Sequence, residues 1–493
     1  MLVIAIQGSF DEAKQAIEEA NKKGEAIELR LDLLKDLKHV SKLKGLCKLP
    51  VIFTLRKASQ GGKFHGNERE REDKLFELLA LGPDYVDLEY DMAPSFVEKV
   101  HQNYPDIAII CSYHDFDKTP ENLEQVLKEM SQMRASTYKL ATFANSSIDS
   151  LRMLSFILQK RKEGISFSGM CMGPHGDITR ILAPVVDSLL TYTSLTSEVE
   201  TAPGQVAVDT LEKVYRFSKL TRQTKIYALI GDPVEQSIGH IAHNRLFKKL
   251  KEDAVYVKIL VKPTELGEFF KLMKKLPFHG FSVTMPLKEK VGQHLDVINP
   301  QAKAIGAINT LNLKEGRWEG FNTDASGALD AIEKKCKVAG KKVVILGAGG
   351  AARALAFESL DRGGKVLIVN RTGEKAKKLA MQLGCEGIAL GDWSALPYDI
   401  LMNTTPVGMN TKTSSLVPEE ALLKEAVVFD AIMYPKETPL LIAAKNKGSQ
   451  VVYGNEMFTR QAVKQVEIWL NRPLDTRDLL QTLDQLCHSQ SLS

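Results

Sequence analysis

Cysteine is scarce and scattered in this sequence. Six residues among 493 (Cys47, Cys111, Cys171, Cys336, Cys385 and Cys487) fall in no paired spacing. That argues against a disulfide framework or a cysteine-rich zinc site and for reduced thiols. Long apolar runs are missing too: none approaches the roughly 18 residues of a membrane span. Residues 1–8 carry neither a basic flank nor an extended apolar core, so they read as a first strand rather than a signal or transit peptide. Nor does charge of one sign accumulate. Sixty-five Lys and Arg stand against 61 Asp and Glu, a net +4, and basic clusters such as 271–275 are short and lie in helix-like segments. They read as solvated helix faces, without the dense stripe of a nucleic-acid binder. These absences predict a cytoplasmic protein with no metal, no membrane contact and no nucleic-acid partner.

What is present is an ordinary globular composition, 44% hydrophobic and 26% charged. The chain is long enough for roughly three domains at about 150 residues each. Up to about residue 220, short apolar runs alternate with amphipathic segments, the pattern of βαβ units around a parallel sheet. The apolar runs are 2–6, 26–31, 51–55, 85–88, 107–112, 137–141, 167–172 and 189–193, and segments such as 10–23, 68–81, 120–134, 146–160 and 204–219 are helical in pattern. Eight strands with interleaved helices predict a closed (β/α)8 barrel. Chemistry in such barrels sits at the C-terminal ends of strands, so polar residues that interrupt the runs there are the candidates. They are Glu28, Arg30, Asp32, Arg56, Glu89, His114, Asp115 and Lys139, joined by Arg180 and Gln205 from following loops.

The pattern restarts after 221–225 with a strand ending in a Gly-Asp-Pro turn, which marks a boundary. A second α/β unit opens at 341. Its strand, 343–346, runs into Gly347-Ala348-Gly349-Gly350-Ala351-Ala352 and then a helical stretch, the context a dinucleotide fingerprint needs. Gly347 permits the tight turn, Gly349 lets backbone approach a pyrophosphate, Ala352 allows close helix packing, and the helix N-terminus faces the anion. A merely structural glycine turn is the bland alternative. The next strand, 366–369, ends in Asn370-Arg371-Thr372, where an NAD enzyme would present Asp or Glu to the ribose. Arg371, with Lys375 one turn later, would instead pair with a 2′-phosphate, which favours NADP.

With these residues in view, the second half resembles shikimate dehydrogenase over 226–475. The resemblance is carried by Ser282-Val-Thr284-Met-Pro-Leu-Lys288, Gly306-Ala-Ile-Asn309-Thr, Phe321-Asn-Thr-Asp324 and Asn403-Thr-Thr-Pro-Val-Gly408-Met409. The first half resembles type I 3-dehydroquinate dehydratase over about 1–220. Its motifs are Glu28-Leu-Arg30-Leu-Asp32, Thr54-Leu-Arg56, Ser112-Tyr-His114-Asp-Phe116, Tyr138-Lys139-Leu-Ala141 and Ala202-Pro-Gly-Gln205. The whole is similar to the fused bifunctional enzymes of aromatic biosynthesis. The resemblance implies a barrel over 1–222, a dehydrogenase substrate lobe over 223–325 completed by 436–493, and a Rossmann NADP-binding lobe over 326–435.

For the barrel, the resemblance implies a Schiff base between Lys139 and the ring carbonyl of 3-dehydroquinate, with His114 moving protons. A lone strand-end lysine would otherwise read as a surface charge; in an apolar strand, desolvation can release a free amine. Arg180 would clamp the substrate carboxylate, and Glu28, Arg30, Arg56, Thr201 and Gln205 would bind or hold the charge lattice. Gln60 stands where the family has a glutamate and Thr201 where it has a serine, so an active but retuned dehydratase is expected.

For the dehydrogenase, the resemblance implies a catalytic pair, Lys288 and Asp324, at a cleft where 3-dehydroshikimate meets NADPH; a buried salt bridge is the plain alternative. Ser237, Thr284, Asn309, Tyr434 and Gln461 would bind the substrate. Gly347, Ala348, Gly349, Gly350, Ala351, Asn370, Arg371, Thr372, Lys375 and Thr404 would hold the cofactor, with Gly454 and Met457 flanking the nicotinamide. The family's second serine is Gly239 here, followed by His240. A lost hydroxyl leaves quinate oxidation as the alternative activity, and a non-catalytic metabolite-binding regulator as the alternative role. The sequence does not fix the oligomeric state.

Overall fold

The structure, a computed structural model, describes residues 1–196, 204–393, 397–409 and 415–490, without the side chains of 488–490. Two compact units divide the chain: Met1–Lys225 with Asp253–Pro277, and Ile226–Glu252 with Phe278–Ser493.

In the first unit eight strands alternate with helices: β1 (Leu2–Gly8), β2 (Ala26–Leu34), β3 (Val51–Thr54), β4 (Tyr85–Glu89), β5 (Ala108–Asp115), β6 (Thr137–Phe143), β7 (Phe167–Met172) and β8 (Thr191–Thr193). Each strand pairs in parallel with its sequence neighbour from β1 to β7, and β1 also pairs with β8. The Leu189 N–H donates to Phe167 O at 3.1 Å and that of Leu190 to Ser168 Oγ at 2.8 Å, which carries the ring from β7 to β8. The result is the expected barrel. Its strands are buried on both faces, as parallel strands wrapped by helices must be. Side-chain caps start the wrapping helices where the sequence supplies them: Ser9 with Glu12 opens Phe10–Lys23, and Asn67 with Glu70 opens Glu68–Leu79.

The segment 253–277, with β10 (Ala254–Leu260) and the helix Leu266–Met273, groups with the barrel. Arg216 Nη2 donates to Ala254 O at 3.0 Å and Thr224 Oγ1 to Asp253 Oδ1 at 2.7 Å.

The second unit holds two sheets. One runs β9 (Lys225–Gly231), β11 (Phe278–Val283), β13 (Thr310–Lys314), β14 (Arg317–Phe321) and β12 (Val297–Ile298). The other has the order β17-β16-β15-β18-β19-β20, from β15 (Lys342–Leu346), β16 (Lys365–Asn370), β17 (Glu386–Ala389), β18 (Ile400–Asn403), β19 (Val427–Asp430) and β20 (Gln450–Val452). All its pairs are parallel, the doubly wound Rossmann arrangement. Because β20 completes this sheet, the nucleotide lobe continues past residue 435, where the sequence placed its end. The chain returns to the first sheet through the helix Gly454–Leu470, where Trp469 stacks on Tyr227 and its Nε1 donates to Leu311 O at 2.9 Å. No helix among the described residues is long and apolar enough to cross a membrane.

Two candidate active sites

Parallel register builds the barrel site. Glu89, Ser112 and Lys139 stand opposite one another on β4, β5 and β6. Lys139 borders an open cavity of about 540 Å³ whose lining also includes Glu28, Arg30, Arg56, Gln60, His114, Arg180 and Gln205. Every described barrel residue named from the sequence as catalytic or substrate-binding therefore faces one space. Thr201 lies outside the described residues.

Several of the charges in this space are paired. Arg30 forks onto Asp32, with Nε to Oδ1 at 3.0 Å and Nη2 to Oδ2 at 2.8 Å. Thr54 Oγ1 donates to Glu28 Oε1 at 2.7 Å. Arg56 Nη1 lies 3.0 Å from Asp87 Oδ1 and 2.7 Å from Ser112 Oγ, while Arg71 holds Glu89 at 2.8 Å. Lys139 Nζ, 3% exposed as a residue, forms an ion pair with Asp87 Oδ2 and sits 4.7 Å over the Tyr192 ring. Arg180 is buried and donates from Nη1 to Tyr192 O at 3.2 Å.

These surroundings set the protonation states. Burial pushes the Lys139 ammonium below its ordinary value, opposed by Asp87 and assisted by Arg56. More of it is free amine than in an exposed lysine. Burial, with Arg56 and Lys139, holds His114 well below the usual imidazole value, so at neutral pH it is a base. Burial favours protonated Asp87, but Arg56 and Lys139 outweigh it and keep the carboxylate ionised. Gln60 Oε1 accepts from the backbone N–H of His114 at 3.2 Å, so it holds that residue's main chain. The ring's Nδ1 is buried with no partner among the described residues.

In the second unit, Lys288 Nζ meets Asp324 Oδ2 at 2.6 Å. Asp324 opens the helix Asp324–Ile332, and Asn309 Nδ2 donates to its Oδ1 at 2.8 Å and to Thr323 Oγ1 at 3.0 Å. Thr284 lies one turn before Lys288, its carbonyl accepting from Leu287. At Gly327 an added Cβ would fall 3.0 Å from Gln461 N and 3.1 Å from Met457 O, so the absent side chain lets the Asp324 helix lie against the one carrying Met457 and Gln461. Ser237 Oγ accepts from Gly239 N at 3.1 Å at the start of the helix Gly239–Leu250. Gly454 packs on the Ile432 backbone, and Tyr434 stands exposed two residues further on; no bond links either to Lys288 among those described.

The glycine turn fits a dinucleotide. Gly347 adopts φ +118°, and a Cβ there would strike Thr404 Oγ1 at 2.5 Å. Nothing lies within 4 Å of a Cβ placed on Gly349, which leaves its backbone open to an approaching group. The helix Gly350–Asp361 starts there with Ala351 exposed, Ala348 half-buried and Ala352 buried in the core. A cavity of about 650 Å³ runs from Gly347 past Asn370 and Arg371 to Thr405, Pro406 and Val407. Thr372 and Lys375 are exposed beside it. Thr404 turns away, donating to Leu346 O at 2.6 Å, so Thr405 takes the lining position expected of it. A Cβ on Gly350 would lie 3.4 Å from Glu289 Oε1, which brings the turn of Lys288 beside the glycine turn.

Sequence reasoning missed Asp87, Tyr192, Met170 and Met172 in the barrel, and Asp430, which accepts from Thr438 Oγ1 at 2.7 Å and Asn403 Nδ2 at 3.1 Å beneath the cofactor loop. Asp87 had a signal: a carboxylate inside a buried strand needs a cation.

Comparison with known proteins bears on the same two halves. The type I 3-dehydroquinase family model matches residues 3–222, the shikimate dehydrogenase substrate binding domain 229–311, and the shikimate/quinate 5-dehydrogenase family 330–425. The chain is 37% identical over 473 residues to the chloroplastic bifunctional 3-dehydroquinate dehydratase/shikimate dehydrogenase of Arabidopsis thaliana, covering 91% of this chain and 78% of that one. It is 33% identical over 474 residues to the shikimate biosynthesis protein AroDE of Chlamydia pneumoniae, covering 95% of each. A crystal structure of shikimate dehydrogenase in complex with NADP+ aligns with TM-score 0.51 and 36% identity over 54% of this chain and 97% of its own. A 5-ketofructose reductase from Gluconobacter sp. aligns with TM-score 0.50 and 35% identity over 54% and 99%, so the dehydrogenase fold also serves other substrates. Since the two fused relatives match it across both the barrel and the dehydrogenase, the chain belongs to the bifunctional 3-dehydroquinate dehydratase/shikimate dehydrogenase family.

Proposed function

We propose that the barrel site and the Lys288 site divide the family's two reactions between them. The protein is a lyase and an NADP-dependent oxidoreductase of the shikimate pathway: it dehydrates 3-dehydroquinate to 3-dehydroshikimate and reduces that product to shikimate. Residues 1–222 form the dehydratase; from 223 the chain forms the dehydrogenase, with its cofactor lobe around the β15–β20 sheet. Six free cysteines fit work in the reducing cytoplasm.

The observation that carries the dehydratase assignment is Lys139, buried at the cavity with its ammonium disfavoured. Its amine adds to the substrate ketone; the carbinolamine loses water to give an iminium that withdraws electrons from the neighbouring carbon. Neutral His114 removes the proton there and returns one to the leaving hydroxyl, which departs as water. Hydrolysis of the iminium then frees the product and Lys139. Arg180 takes the substrate carboxylate, and the Arg30–Asp32 and Arg56–Asp87 pairs keep the remaining charges fixed.

In the dehydrogenase, the glycine turn 347–350 takes the pyrophosphate, and Arg371 with Lys375 takes the 2′-phosphate. Bound NADPH supplies the hydride. Lys288 donates or relays a proton to the oxygen of the reduced carbonyl, and Asp324 holds the ammonium for that transfer. Asn309 orients Asp324 and, with Thr284, Ser237 and Gln461, binds substrate hydroxyls and carboxylate.

Two variants test the division. Lys139→Ala loses dehydration and retains reduction of added 3-dehydroshikimate, while Lys288→Ala does the reverse. If either substitution removes both activities from a folded protein, the two-site assignment fails.

A further inference from the structure

Gln465 is fully buried on the helix Gly454–Leu470, and each of its hydrogen-bonding positions faces a polar partner. Its Oε1 accepts from Ser282 Oγ at 2.9 Å and lies 3.1 Å from His243 Nε2. Its Nε2 donates to Asn309 O at 3.2 Å and to Thr310 Oγ1 at 3.0 Å. A carbonyl such as that of Asn309 only accepts, so the amide has one workable orientation.

The bonds continue in both directions. Toward the reacting groups, Thr310 Oγ1 donates to Asn309 Oδ1 at 2.8 Å, Asn309 Nδ2 donates to Asp324 Oδ1 at 2.8 Å, and Asp324 Oδ2 meets Lys288 Nζ at 2.6 Å. The other way, His243 Nδ1 lies 2.8 Å from Gly239 O, and Gly239 N donates to Ser237 Oγ at 3.1 Å. One hydrogen-bonded run thus joins the Ser237 turn to the Lys288 ammonium, with Gln465 at its centre. Asn309 precedes a strand and Asp324 only begins a helix, so neither is fixed by regular backbone on both sides. Gln465 sits well inside a 17-residue helix whose Trp469 is pinned to the sheet. It is the rigid end of the run.

We propose that Gln465 is a positioning residue for the reduction. It holds Asn309, and through it Asp324 and Lys288, at a fixed setting relative to the Ser237 turn, without touching substrate itself. This rests on the reading of Lys288 and Asp324 as the reacting pair.

The test is a double-mutant cycle on the full-length enzyme. Gln465→Met keeps the side chain's length and removes its polar contacts; Gln465→Glu keeps the acceptor toward Ser282 and loses the donors toward Asn309 and Thr310. Both should lower kcat for 3-dehydroshikimate reduction on the order of 10- to 100-fold, the cost of a small displacement of reacting groups. NADPH binding, read by fluorescence, should be unchanged. Asn309→Ala combined with Gln465→Met should be no slower than Asn309→Ala alone, because the lost action passes through Asn309. Parent-like kcat in a Gln465 variant, or losses that multiply in the double variant, overturns the proposal. If Gln465→Met fails to bind NADPH, Gln465→Glu carries the same comparison. Lys288→Ala separates the two levels: should it retain reduction, the reacting pair is misassigned; should it be inactive while Gln465 variants match the parent, only the positioning role is lost.

Discussion

Lys139 on β6 and Asp87 on β4 form an ion pair across the intervening strand β5, whose Ser112 donates to the same carboxylate at 2.6 Å. The arrangement works in two directions. Burial of the barrel site pushes Lys139 toward free amine, and Asp87 opposes that push while fixing where the amine sits. Arg56 shares the carboxylate, so Asp87 pairs with two buried cations.

Asp87→Asn therefore moves the pH profile in a definite direction. Asp87 raises the values of both Lys139 and His114. Without its charge both titrate at lower pH, and the limb of kcat/KM for 3-dehydroquinate that rises with pH moves toward acid. The maximal rate falls, on the order of tenfold, as Arg56 and Lys139 lose their shared partner. A limb that stays in place, or moves toward alkali, contradicts the pairing.

Arg371 is exposed at the end of β16, beside the cavity that begins at Gly347. In the proposed role its guanidinium would distinguish cofactors by one phosphate. Arg371→Ala should weaken NADPH binding by about 10- to 100-fold, the loss of a charge-assisted contact, and leave NADH binding as it was. Titration of each cofactor by fluorescence decides it; an equal loss for both would make Arg371 a general contact.

The Tyr192 hydroxyl is buried and has no partner among the described residues, while burial, with Glu28 next, keeps the phenol protonated. A buried polar group left unpaired costs about 1–3 kcal/mol. Tyr192→Phe should consequently leave thermal stability unchanged or raise it by about 1 kcal/mol. A fall in Tm would show that the hydroxyl is satisfied in the folded protein.

Gly239 begins its helix where a second serine stands in the family. Gly239→Ser restores a hydroxyl near Ser237 and should lower KM for shikimate by about tenfold, one hydrogen bond's worth. The quinate-to-shikimate ratio of kcat/KM should fall with it. A ratio that rises would place the specificity elsewhere.

Much of the architecture was legible in the sequence because parallel strands are short, apolar and evenly spaced. The run 167–172 coincides with β7, but β5 continues to Asp115 and β2 to Leu34, beyond the apolar runs that ended at 112 and 31. The last residues of a barrel strand face the site instead of the core, so hydrophobicity falls before the strand stops. His114 was visible for that same reason, and Lys139 because a lysine interrupts the apolar run of β6. Asp87 lay inside a run read as apolar, and Tyr192, Met170 and Met172 are types that also fill cores; only closure of β8 onto β1 brings them to the cavity. Gln465 carried no motif, since its partners lie 155 to 222 residues away in the chain. The end of the nucleotide lobe was displaced because β20 joins its sheet by long-range pairing, which no local signal reports.

The most direct measurement of the central claim is to incubate the protein with 3-dehydroquinate, add borohydride, and map the reduced adduct by peptide mass spectrometry. A covalent adduct on the peptide containing Lys139, absent in Lys139→Ala, is the expected result. Dehydration that proceeds without any trapped adduct, or an adduct on a different lysine, would contradict the account.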